Sequence, residues 1–323
     1  MKHKLIIAIM LLFATVTAHA AGKIYKPWSN GKLKVSDNNL YIIHDNGTPF
    51  FWMGNTAWLL PERLNREEAE YFLAKDREAG YNVEQIQVLN AIPTFNVYGH
   101  QANNAEFDFS KVSKPGVYGY WEHLDYIVDT AERNGIYIAM DCIWGSMLKQ
   151  MDIKKAENLG RFLATRYKDK PNIIWMIGGD IMGDRSPEIW DAMARAIKKI
   201  DKNHIMTFHP RGRTTSAWWY NDREWMDFNM FQSGHRRYGQ RNGDGDYTIK
   251  DNTEEDNWRY IDMSFEKKTL RPVIDGEPSY EDIPQGLHDF SAPRWQDYDV
   301  RRYAYWAVFG GCFGHTYGHN SVM

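Results

Sequence analysis

Short apolar runs alternate with amphipathic stretches along most of the chain, and many of the runs end on glycine or polar residues. The fullest example is Pro171-Asn172-Ile173-Ile174-Trp175-Met176-Ile177-Gly178-Gly179-Asp180. Apolar residues on both faces predict a strand buried on both sides, as in a parallel sheet. Pro171, which has no N–H to give a ladder, marks its start. Gly178 and Gly179 let the backbone turn or a ligand come close, and Asp180 falls at the carboxyl end. A second stretch has the same form: Arg271-Pro272-Val273-Ile274-Asp275-Gly276-Glu277-Pro278.

The same alternation orders the rest of the chain. Residues 33–48 predict a β-hairpin, with turns at Asp37-Asn38-Asn39 and Asp45-Asn46-Gly47, of the kind that plugs the bottom of a barrel. Phe50–Gly54 is the first barrel strand, with Asn55 and Trp58 just beyond it. Asn65 caps a helix from Arg66 to Ala79 that Gly80 ends. The further strands are Val83–Leu89, Ile136–Met140, the stretch to Asp180, Ile205–His209, Phe228–Gln232, the run before Glu277, and Cys312–Tyr317. Helices are predicted over Tyr120–Asn134, Glu157–Tyr167, Pro187–Ile200, Tyr260–Thr269 and Asp297–Phe309. Eight such alternations predict an α/β fold, a (β/α)₈ TIM barrel. The chain stops after strand eight, before any eighth helix. That leads to the expectation of a truncated barrel, the front part of a longer protein. The outer side chains of strands eight and one, Phe313 with Phe51 or Trp52, would then lack cover.

Composition sharpens this picture. The chain has 323 residues and a formal net charge of −3, so it offers no basic field for nucleic acid. Aromatics make up 15% of residues, 13 of them Trp, and many fall in predicted loops, where flat rings suit sugar faces. Residues 1–20 read as a signal peptide: a charged start, an apolar run too short to span a bilayer, and Ala18-His19-Ala20 as the cleavage site. A secreted or periplasmic protein with no membrane span in the mature chain is expected. The remaining boundaries are an N-terminal extension and hairpin over 21–48 and the barrel over 49–323. Cys142 and Cys312, both in predicted strands, read as small buried hydrophobes rather than a disulfide.

In a (β/α)₈ barrel, side chains at the C-terminal ends of the strands meet in one mouth. Asp180 and Glu277 end strands four and seven, on opposite sides of it. A retaining glycosidase needs such a pair roughly 5–5.5 Å apart, here Asp180 as acid/base and Glu277 as nucleophile. Asn55, Trp58, Trp144, His209, Gln232, His235, Asp275, Tyr280, His315 and Tyr317 also sit at predicted strand ends, where they would line a sugar pocket. Asp275, two residues before Glu277, is expected on the same side as an orienting group. The long loop from Asn90 to Gly119 has a length that points to function. Within it Gln101–Asn104, like the polar segment Arg236–Asp246, reads as solvated loop first and as an outer subsite second.

The segments Phe51–Trp58, Pro171–Asp180, Asp275–Pro278 and Gly314–His319 resemble those of the apiosidase-like glycoside hydrolases, family 140. The resemblance implies a retaining (β/α)₈ barrel acting on apiose-linked side chains of the pectin rhamnogalacturonan II. It implies an acid/base at Asp180 and a nucleophile at Glu277, and no cofactor or metal. It also implies a closing helix and a small β domain beyond strand eight. Related barrels more often carry Asn-Glu where this chain has Gly179-Asp180, a shorter acid set further back. Two other readings compete. His209, His235, His315 and His319 raise a metal-dependent barrel hydrolase, but the first strand lacks the His-x-His pair such enzymes carry. A barrel that binds glycans without turnover would not require both carboxylates. The expected partner is an oligosaccharide or polysaccharide.

Overall fold

The computed structural model describes residues 24–235, 257–287 and 289–322. The predicted leader and the Arg236–Asp246 segment lie outside the described residues.

Three short strands, β1 (Leu33–Val35), β2 (Ile42–His44) and β3 (Pro49–Phe50), form an antiparallel sheet. The expected hairpin thus gains a third strand. Its apolar side chains Leu33, Ile42 and Phe50 join the barrel core, and the Phe50 and Trp28 rings meet the edge of Tyr137. The sheet therefore covers the N-terminal end of the barrel.

The barrel begins with β4 (Trp52–Thr56), followed by α1 (Leu60–Arg63), α2 (Arg66–Ala79), β5 (Val83–Gln87), α3 (Tyr120–Asn134) and β6 (Tyr137–Trp144). Next come α4 (Ile153–Tyr167), β7 (Ile173–Ile181), α5 (Pro187–Ile200), β8 (Met206–Pro210) and β9 (Thr214–Thr215). The chain then continues through β10 (Asn229–Gln232), α6 (Asn257–Phe265), β11 (Val273–Asp275), α7 (Asp297–Gly310) and β12 (Gly314–Tyr317). The parallel order β12-β4-β5-β6-β7-β8 makes three quarters of the ring. The parallel pair β10 and β11 supplies the rest, with β10 packed beside β8 and β11 beside β12. The fold is a (β/α)₈ barrel.

Local chemistry explains the helix limits. Asn65 and Glu68 form a reciprocal capping box at 2.9 Å on α2. The barrel interior is filled by Trp52, Val83, Ala139, Ile174, Met176, Phe228, Met230, Ile274 and Phe313. The alternate residues, including Ile86, Ile138, Met140, Trp175, Ile177 and Phe208, pack outward against Leu124, Leu163, Trp190 and Met193 of the helices. Both faces are buried, as the apolar runs require. Trp52 and Phe313 thus face inward, against the expectation that they form an uncovered outer strip. Phe51, one residue before β4, is half exposed. Cys142 and Cys312 are free and buried.

Two strand limits differ from expectation in ways that matter for the site. β4 runs through Asn55 rather than ending before it. β6 continues four residues past Met140, because Cys142 and Ile143 are buried apolar residues that extend the run across Asp141.

Candidate active site

The site is built around the end of β7. Gly178, Gly179 and Asp180 take consecutive positive φ values of 115°, 78° and 50°. The register with β8 slips there, from Gly178 opposite His209 to Ile181 opposite Pro210. A Cβ on Gly178 would fall 2.4 Å from the His209 carbonyl oxygen, and one on Gly179 would fall 2.3 Å from Cε3 of Trp144. Both positions need glycine for φ and for space. A bulge of this kind re-aims a side chain, here Asp180. The left-handed backbone of Asp180 costs on the order of 1 kcal/mol, a strain that clusters at functional sites.

The opposing carboxylate follows β11. That strand ends at Asp275, and Gly276 donates its N–H to Phe231 O at 2.9 Å. Glu277 is then held in the mouth by two imidazoles. His235 Nε2 lies 2.9 Å from Oε1. His209 Nε2 lies 3.2 Å from Oε2, a close approach whose angle falls short of a hydrogen bond. The rings around this centre brace one another. Trp58 and Trp144 stand 5.3 Å apart, and His209 packs 5.3 Å and 5.6 Å from them. Trp58 Nε1 donates to the Tyr280 hydroxyl at 2.7 Å, and Tyr280 meets the His235 ring at 4.5 Å.

The two carboxyls are driven in opposite directions. The Asp180 side chain is exposed at the open end of the mouth. The protein packed around it, then the nearby Glu277 charge, push it up to about 6, against the pull of His209, His235 and Gln232. For Glu277, burial alone would raise the pKa, but His209 and His235 outweigh it and bring it down to about 2. His209 is raised: burial opposes this, and Glu277, Asp141 and Asp180 overcome it. A pocket of about 240 Å³ opens beside the pair, lined by Asp180, Arg211, Arg213, Gln232, His235 and Leu287 among others.

The structure therefore gathers Asp180, Glu277, Trp58, Trp144, His209, Gln232, His235 and Tyr280 in one mouth. Four expected pocket residues lie elsewhere. Asn55 donates to Asp76 of α2 at 2.9 Å, on the outer face of β4. His315 and Tyr317 pair with Met53 and Asn55, on the face opposite the interior Trp52. Burial lowers His315 to about 4, and Tyr317 donates to Glu281 at 2.7 Å. Asp275 accepts from the Ser233 hydroxyl at 2.5 Å on the outer face, and burial pushes it up to about 7. It does not share the side of Glu277, because strand alternation ends at Asp275. In the long loop, Gln101–Asn104 includes buried Ala102 and Asn103, which bind Trp121 and Thr94 and act as packing.

Sequence reasoning missed Asp141 as a site residue. It is fully buried in β6, paired with the interior Met176, and raised to about 7 by burial, with His209 opposing. The signal was a lone carboxylate inside an apolar run, which read as a strand end. Among the described residues, no group of three or more His, Cys, Asp or Glu side chains is placed to hold a metal ion. His209 and His235 contact Glu277, while His319 bonds the Ser321 hydroxyl at 2.8 Å.

A (β/α)₈ barrel with carboxyls of opposed acidity at the ends of its fourth and seventh strands has the architecture of a glycoside hydrolase. The chain belongs to the apiosidase-like catalytic domain family, which matches residues 36–323. A solved glycoside hydrolase family 5 protein from Bacteroides vulgatus is 62% identical with a TM-score of 0.91, and this chain covers 65% of it with 93% of its own length. A second solved structure, described as a glycoside hydrolase, is also 62% identical with a TM-score of 0.91, covering 93% of this chain and 68% of that one. An endo-1,4-beta-D-mannanase from Thermotoga petrophila shares the fold alone, at 15% identity and a TM-score of 0.57 over 84% of this chain and 88% of that one. No curated protein matches the chain. Among the described residues, no helix is long and apolar enough to cross a membrane.

Proposed function

We propose that this domain is a retaining glycosidase in which Glu277 attacks the anomeric carbon and Asp180 serves as acid, then base. The observation that carries this reading is the divergence of the two carboxyls. Environments that push a pair apart assign its roles. Glu277, held at about 2 by two imidazoles, is ionised over the whole working range and suits a nucleophile. Asp180, raised to about 6, keeps its proton in mildly acidic solution and can pass it to the leaving oxygen. In the second step, water attacks the glycosyl-enzyme while Asp180 takes up a proton. The partly exposed Trp144 ring offers an apolar face for a sugar, braced from behind by the buried Trp58.

The family points to side chains of plant cell-wall pectin, apiose-linked ones first, as the substrate class. The leader-like residues 1–20 support export to the periplasm or beyond. The test is a screen of pectic oligosaccharides, with proton NMR of the first-formed sugar. Retained configuration is expected, together with loss of turnover of at least about 10²-fold in Glu277→Gln and Asp180→Asn. An inverted product, or near-wild-type turnover in either variant, would overturn the assignment.

A further inference from the structure

Gln85 is a polar side chain in an apolar layer. Its neighbour Ile86 packs outward against the helices, while Gln85 pairs with Ala139, which faces the barrel interior. Gln85 is fully buried, and its Nε2 donates to the Gly276 carbonyl oxygen at 2.7 Å. β4 and β12 lie between β5 and β11 in the ring, so this bond crosses the interior from the second strand to the seventh. Gly276 is the residue before Glu277, and β11 has already ended at Asp275. The backbone–backbone hydrogen bonds of Gly276 and Glu277 among the described residues both go to the β10 side. Gly276 N–H donates to Phe231 O at 2.9 Å, and Gly234 N–H donates to Glu277 O at 3.1 Å. Met230, also of β10, packs so close that a Cβ on Gly276 would fall 2.4 Å from its Sδ. A peptide held from one side alone can pivot about that side. The Gln85 amide holds it from the other.

We propose that Gln85 is a positioning residue for Glu277: its amide tethers the Gly276 peptide across the barrel and so fixes where the carboxylate meets His235 and His209. The inference rests on Glu277 as the nucleophile, but its structural readout does not depend on turnover. Gln85 touches no reacting atom and acts through the backbone of Gly276. A reacting group must be held close to its productive geometry by neighbours that are themselves fixed, and a displacement of about 1 Å costs on the order of 10²-fold in rate. An amide suits this task. It donates a hydrogen bond without a charge, so it adds no field beside the carboxyls, and it does not titrate. Its length also matters, because asparagine would fall about one C–C bond, roughly 1.5 Å, short of the carbonyl.

The experiment compares crystal structures, thermal melts and kinetics of the full chain, Gln85→Met and Asn172→Leu. Methionine keeps the length and bulk of Gln85 but cannot donate. In Gln85→Met the Gly276 peptide should turn, and the contact between Glu277 and His235, 2.9 Å in the parent, should open beyond about 3.5 Å. On the pectic oligosaccharide that the parent turns over, kcat should fall by about 10–10²-fold with KM within about twofold. Asn172 is the control, a fully buried amide at the start of β7 that donates to Val128 O and Ile136 O, each at 3.1 Å. Asn172→Leu should lower Tm while Glu277 stays in place and kcat stays within about twofold of the parent. If Gln85→Met does not fold, Gln85→Asn is read the same way. A folded Gln85 variant that keeps Glu277 against His235, or loses no more kcat than Asn172→Leu, would overturn the proposal. A displaced Glu277 together with an inverted product from the parent would overturn the nucleophile assignment and leave the tether standing.

Discussion

Asp141→Asn should stabilise the fold, and more so as the pH rises. The carboxyl rises from an ordinary 3.8 to about 7, chiefly through burial, even after the attraction of His209 is included. At 1.36 kcal/mol per pH unit, full ionisation in the folded state costs about 4 kcal/mol. The sign follows from proton linkage. Below pH 3.8 the group is protonated in both states and costs nothing. Between 3.8 and about 7 the unfolded chain releases the proton while the folded chain keeps it, so the folded state loses ground steadily. Above about 7 the penalty is complete. The same relation gives a penalty of about 1.7 kcal/mol at pH 5 and about 4.3 kcal/mol at pH 8. Asparagine has nearly the same shape and does not titrate. The advantage of the variant should therefore widen by about 2.6 kcal/mol between these pH values. With an unfolding entropy of about 2.1 cal/mol/K per residue over 323 residues, that is about 4 °C in Tm. Thermal melts of the two proteins at pH 5 and pH 8 measure it. A difference in Tm that stays constant, or shrinks at pH 8, would refute the reasoning.

Two further outcomes are expected. Glu84 is fully buried, neither oxygen finds a hydrogen bond of good geometry, and burial with the nearby Asp76 pushes it well above the usual carboxylate range. Glu84→Gln should thus lie within about 0.5 kcal/mol of the parent at pH 5 and be more stable at pH 8, read as urea midpoints, and clear destabilisation at pH 5 would show that the carboxyl is needed. Gly179→Ala forces an L-residue to φ 78° and drives its Cβ to within 2.3 Å of Trp144. The backbone strain costs at least about 1 kcal/mol, and turnover should drop far more than Tm because Asp180 and Trp144 both move; full activity in this variant would rule out a fixed bulge.

The barrel was legible because its signals are local and repeated. Apolar runs buried on both faces, an Asn65 cap and a Pro187 start each act within a few residues, and the helices over Arg66–Ala79, Tyr120–Asn134 and Pro187–Ile200 have the predicted limits. The position of the two carboxylates was legible for a related reason: each follows a glycine at the end of an apolar run, and both fall at the barrel mouth.

The direction of individual side chains was not legible, and the reason is the strand end itself. A strand alternates faces only while it remains a strand. Asp275 and Glu277 are two residues apart, yet β11 stops between them, so one turns to Ser233 and the other to the imidazoles. Asn55 failed in the opposite way: β4 continues through it, and its side chain stays on the outer face. Tyr317 ends β12 where expected, but its register with Asn55 puts it on that same outer face. Asp141 combines both effects: it lies within a strand that runs past it, on the inward face. No local pattern separates these cases, because register is fixed by pairing with the neighbouring strand. Asp141 faces the barrel interior because Met176 opposite it faces the core. The sequence carries that information only as a relation between two strands, Tyr137–Trp144 and Ile173–Ile181. A residue in such a relation is best sought where a charged position interrupts an apolar run without ending it.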